Sequence, residues 1–197
     1  MDAYSVVLYL HLLALFVGIG AGAVLVVCLF QLRAAQTLAD AAPWAAVAGK
    51  TEKAFPIAVL GLFATGAYMT SDLWAWNTGW IDVSIAGLAL LALQGPLLGG
   101  WAARKLEQAL HENGPGPLGE RARAMTRHRG LWLSELANLG VVFGIVWNMT
   151  QKPSTALAVA PVAGGYTVGA LLALPLTRPL AAERAVGAAD AASQTRS

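Results

Sequence analysis

A histidine seven residues into an unbroken apolar run is the residue of this sequence with the most chemistry to offer. The run extends from Ser5 to Leu32, so His11 lies about 10 Å below its outer end at helical rise. An ionisable group in hydrocarbon costs at least a few kcal/mol, so the ring has to be neutral and satisfied by something. Ala14, Gly18 and Gly22 follow at i+3, i+7 and i+11, a small-residue stripe on the same face with GxxxG spacing. Two readings are open for His11. It hydrogen-bonds across a packing face, or it is an axial ligand to haem, with the small residues making room for a flat macrocycle. Met69 and Met149, near the outer ends of two later apolar runs, are candidate partner ligands or ordinary core methionines.

Three further polar residues interrupt apolar surroundings. Glu135 and Asn138 stand one turn apart, on the face that continues from His128 and Trp132. Glu135 either pairs with a basic loop residue such as Arg33 or Arg129, or forms a way in for a proton or cation. Gln94 precedes Gly95-Pro96, where its amide is placed to satisfy the carbonyl that a proline frees. His111 and His128 belong to a basic loop and read as solvated. The one cysteine, Cys28, lies in an apolar run, which excludes an intrachain disulfide and a cysteine metal cluster and reads as a small buried hydrophobe. No phosphate-binding glycine loop, HExxH, CxxC or nucleophile elbow occurs, so no catalytic set is recognisable.

The elements that must hold these residues follow from composition. The chain is 57% hydrophobic and 12% charged, against roughly 25% charged in soluble proteins, too few charges to cover a water-facing surface. A net charge of +2 without a basic patch gives no reason to expect nucleic acid. Five runs, near 5–32, 54–74, 80–103, 131–150 and 156–177, are long enough to cross about 30 Å of hydrocarbon. The first begins after acidic Asp2, with no Lys or Arg before it, and is too long for a signal h-region, so it reads as a true span. A short amphipathic stretch precedes the second span, and Pro96 predicts a kink in the third. Pro161, Gly164-Gly165 and Pro175 weaken the helical pattern of the fifth. Twelve Lys and Arg fall in the loop from Arg33 to Lys53, the loop from Arg104 to Arg129 and the tail, and only Lys152 on the other side. Positive residues stay cytoplasmic during insertion, so the N-terminus is expected outside and the C-terminus in the cytoplasm. Trp74, Trp76, Trp80 and Trp147 are expected at the outer interface, and Trp44, Trp101 and Trp132 at the inner one. Residues 1–180 form the expected bundle and 181–197 a disordered tail.

The run Leu8-Tyr9-Leu10-His11-Leu12-Leu13-Ala14, with Gly18, Gly20 and Gly22 after it, resembles the first helix of the copper-resistance D-like superfamily. Within that group the chain is most similar to a bacterial family of predicted integral membrane proteins of unknown function. Asn148-Met149-Thr150-Gln151-Lys152-Pro153 is similar to the Lys-Pro ending of that family's fourth helix. The likeness covers most of the spans through short motifs. In a neighbouring group, the membrane protoporphyrinogen oxidase, the first-helix histidine is a haem b ligand, and by resemblance that role falls on His11. That oxidase also needs a lysine further along, and this sequence has no lysine inside a span. The copper-resistance likeness implies copper handling, for which His11, Met69 and Met149 are a smaller donor set than those proteins offer. The resulting expectation is an all-α polytopic bundle in a bacterial-type cytoplasmic membrane, with haem b on His11 as its most concrete chemistry. A small metal or solute permease is the first alternative. The second is a structural or assembly subunit packing through its glycines, as a homo-oligomer or with a membrane partner.

Overall fold

The computed structural model describes residues 2–178; the expected tail, with Arg184 and Arg196, lies outside them. The chain folds into α1 (Ala3–Ala34), α2 (Leu38–Thr51), α3 (Ala54–Leu73), α4 (Gly79–Gln94), a π-helical turn (Gly95–Gly100), α5 (Trp101–Glu112), α6 (Glu120–Thr126), α7 (Arg129–Gln151) and α8 (Thr155–Leu176). No strand occurs among the described residues. Five stretches are long and apolar enough to cross a membrane: α1, α2 with α3, α4 through α5, α6 with α7, and α8. Each bears large apolar side chains on its outer face, among them Phe16, Ile57, Leu93, Phe143 and Leu157. Lipid solvates such a surface at no cost, whereas water would drive it to aggregate.

Local chemistry sets the breaks. Thr37 caps α2 in a reciprocal box: its hydroxyl accepts from the Asp40 amide at 3.2 Å, and Asp40 accepts from the Thr37 amide at 3.1 Å. Gly114 and Gly116 take φ of 68° and 115°, a left-handed turn open to residues without Cβ, and so end α5 and turn the chain toward α6. Pro96 has no N–H to donate, and the helix absorbs the loss by widening into the π turn rather than breaking. Despite Pro161 and Pro175, α8 is one continuous helix.

The best-packed core lies at the end of the bundle that carries most of the cations. There α2 and α5 fold over the ends of α1 and α7, burying Leu32, Ala41, Ala102, Leu106, Leu110 and Trp132. A two-sided backbone link ties the cap together, Leu38 to Gly116 and Leu118 to Gln36, each at 2.9 Å. This cap corrects one expectation for the tryptophans. Trp132 is fully buried, with its ring N–H donating to the Thr126 carbonyl at 3.0 Å, because α6 covers it. At the opposite end Trp80 is buried as well, edge-on to Trp74 at 5.4 Å. Trp74, Trp76, Trp101 and Trp147 are exposed and Trp44 is half-buried against the cap.

Candidate functional site

Three polar places sit inside this apolar frame. The first is His11, which α1 presents to α3. Its Nδ1 lies 2.8 Å from Thr65 Oγ1, and Thr65 Oγ1 lies 2.5 Å from the Gly61 carbonyl. A hydroxyl has one proton, and the carbonyl can only accept, so Thr65 donates to Gly61 and accepts from His11 Nδ1–H. The ring is thereby held as the Nδ1–H tautomer, with the lone pair on Nε2. Small residues let the two helices close: a Cβ on Gly66 would meet His11 Cε1 at 3.5 Å, one on Gly61 would meet Ala14 at 3.1 Å, and one on Gly18 would meet Ala58 at 3.5 Å. The stripe does not keep a single partner. Ala14 and Gly18 lie on α3, whereas Gly22 lies on α7, where a Cβ would stand 3.1 Å from Leu139 and 3.2 Å from Glu135 Oε1. Met69 is one turn beyond Thr65 on α3, and Met149 packs in a separate cluster with Trp80, Ile81 and Ala158. No group of three His, Cys, Asp or Glu side chains suited to a metal ion occurs among the described residues.

The second place is a cavity of about 820 Å3 bounded by α1, α2, α5 and α7. Its wall is mostly Leu and Ala, and Ser134 and Glu135 reach it from α7. Glu52, Arg104 and Glu107 line it too. Glu52 is within Coulombic reach of both Glu135 and Arg104. The expected pairing of Glu135 with Arg33 or Arg129 is not formed. Its carboxylate makes no hydrogen bond or ion pair among the described residues, and Arg33 instead donates to the Arg178 carbonyl at 3.0 Å. The physical reason is depth: Glu135 lies about 9 Å along α7 from Arg129 at helical rise, and opens on the cavity.

The third place is the seam between α4 and α7. A Cβ on Gly87 would touch Ile145 at 3.0 Å and Val141 at 3.5 Å, and one on Gly99 would touch Ser134 Oγ at 2.8 Å. The helices are therefore antiparallel, with Gly87, Gln94 and Gly99 along one and Ser134, Asn138, Val141 and Ile145 along the other. Asn138 gives an N–H to Ser134 Oγ at 3.5 Å. Its Oδ1 and the Nε2 of Gln94 are buried without a partner. Gln94 thus does not satisfy a carbonyl freed by Pro96, as the sequence suggested, because the π turn rebuilds the backbone there. His128 is not merely solvated either: its Nδ1 accepts from the Gly130 amide at 3.0 Å and caps α7. Cys28 is fully buried with a free thiol.

Reading the sequence passes over the closest helix contact of all. A Cβ on Gly140, Gly165 or Gly169 would collide with backbone across the α7–α8 seam, and one on Gly144 would stand 2.5 Å from the Pro161 carbonyl. The signal is present as Gly140-x-x-x-Gly144 facing Gly165-x-x-x-Gly169.

Fold and site together define a class: an all-helical bundle with five helical stretches long and apolar enough to cross a membrane and polar groups gathered in its interior. No family model matches the chain, nor does any curated protein or solved structure.

Proposed function

We propose that this chain is a small permease of the cytoplasmic membrane, which admits a proton or small cation from the cytoplasmic side to Glu135. Its N-terminus lies outside and its C-terminus inside, by the distribution of Lys and Arg. The carrying observation is that Glu135, inside an apolar bundle and without a cation or hydrogen-bond donor among the described residues, lines a cavity of about 820 Å3. A carboxylate at such depth is tolerated where water reaches it or where it binds protons or cations in turn. Glu52 and Arg104 on the same wall give an arriving ion polar groups to exchange with. The test is flux in liposomes holding a pH-sensitive dye, under a potassium diffusion potential. Wild type should acidify or alkalinise the lumen with the sign of the potential, and Glu135→Gln should lower the rate by about tenfold or more, since it removes the exchanging group. Equal rates in the two proteins would end the proposal.

Haem b on His11 is the second reading, favoured by the tautomer that Thr65 imposes, because Nε2 is left with the lone pair a metal needs. The donor chemistry fits one axial position. The α1–α3 seam beside it does not fit the macrocycle, since Ala14 and Gly18 already stand at van der Waals distance from α3. Haem would have to approach Nε2 from outside that seam. The copper-resistance likeness and the assembly-subunit alternative have no comparable geometric support.

A further inference from the structure

The seam between α4 and α7 indicates what the cavity passes on. Gln94 is more than nine-tenths buried and its Nε2 donor has no partner; Asn138 is half-buried, and its Oδ1 acceptor is a buried atom without a partner. The register set by Gly87 against Val141 and Gly99 against Ser134 puts these two residues at one level, on facing stripes. A buried donor and a buried acceptor are each costly when left unmade, and here one of each lies unpartnered at the same level of the seam. One water resolves both, accepting from Gln94 and donating to Asn138. A desolvated metal cation does not, because it needs a shell of oxygens and would be repelled by the amide N–H. Asn138 also stands one turn from Glu135 on α7.

We propose that Gln94 and Asn138 hold water that continues the path beyond Glu135, and that the transported ion is therefore a proton. The proposal rests on the permease reading and names its substrate. A hydronium ion in the cavity gives a proton to the Glu135 carboxylate and is left as water, one O–H bond forming as one breaks. The carboxyl then gives a proton to the seam water, which releases another of its own protons to the next water along the path, so that the carboxylate is restored and no electron moves.

Two measurements test this. In a Cys28→Ala background, cysteines placed singly at Ser134, Gln94 and Asn138 are exposed to 2-aminoethyl methanethiosulfonate, which reacts where water ionises the thiol. All three should be modified. If the cysteine at Ser134 reacts while those at Gln94 and Asn138 stay inert, the seam is dry and this proposal falls while the cavity stands; if all three are inert, the permease reading falls with it. In liposomes, Asn138→Leu should cut flux by about tenfold, since it removes the acceptor and fills the space for water. Asn138→Ser, which keeps a polar group and leaves that space, should recover several-fold of the flux lost in Asn138→Leu. Gel filtration confirms that each variant is folded before comparison. Replacing sodium with choline should leave the wild-type rate unchanged; a rate that follows sodium, or full flux through Asn138→Leu, overturns the proton assignment.

Discussion

Thr65 has a single hydroxyl proton, and how it is spent decides what His11 can do. With that proton on the Gly61 carbonyl, His11 Nδ1–H is a donor and Nε2 is free to accept or ligate. If haem reaches Nε2 from outside the α1–α3 seam, detergent-purified protein expressed with ample haem should show a reduced haem b spectrum in wild type and none in His11→Ala. Colourless wild type would leave His11 as a hydrogen-bonded packing residue. Much of this chemistry was legible beforehand, because a polar residue in an apolar run stands out regardless of fold: His11, Gln94, Glu135 and Asn138 are all visible that way. Their partners were not. Thr65 reads as an ordinary residue of an apolar helix, and nothing local says that Gln94 and Asn138 share a level, since that is set only when α4 packs on α7.

At the level of elements, glycine positions divide by what stands opposite them, and the division predicts a graded series. A Cβ on Gly20 meets nothing within 4 Å, one on Gly18 finds ordinary contact with Ala58 at 3.5 Å, and one on Gly165 runs into the backbone of Gly140. Gly20→Ala should therefore raise thermal stability in detergent, by up to about 1 kcal/mol from helix propensity. Gly18→Ala should be close to neutral, whereas Gly18→Leu should be destabilising. Gly165→Ala should cost about 1–3 kcal/mol because α7 and α8 must move apart. A Gly165→Ala protein as stable as wild type would mean that these helices do not touch through their backbones. The sequence marked five apolar stretches, since span length follows from bilayer thickness, and the structure has five helical stretches long and apolar enough to cross a membrane, three of which run on through α2, α5 or α6. It also marked α8 as the weakest helix for its prolines and glycines. The structure assigns those glycines to packing, and a hydropathy pattern cannot separate a helix-weakening glycine from one that lets a neighbour approach.

Over the whole molecule, the two ends differ in both charge and packing, and that asymmetry sets the orientation experiment. One end carries α2, α5 and α6 over a buried apolar cluster, with cations in the connecting segments. The other has short connections, and its lone Lys152 lies over the Trp74 ring at 4.9 Å, where it also ends α7 in a left-handed conformation. Basic residues resist translocation, so the capped end should remain in the cytoplasm. A reporter active only there should work when fused at the C-terminus or inserted within the Gly114 to Gly119 segment, and should fail near Asn77. If α7 and α8 both cross, the C-terminus and the α5–α6 connection lie on one side, so the three fusions are read together. Activity near Asn77 would overturn the orientation and, with it, the side from which ions reach Glu135. An inactive C-terminal fusion beside an active one at Gly114 to Gly119 would mean that α8 does not cross, and the α7–α8 seam would then have to form by another route.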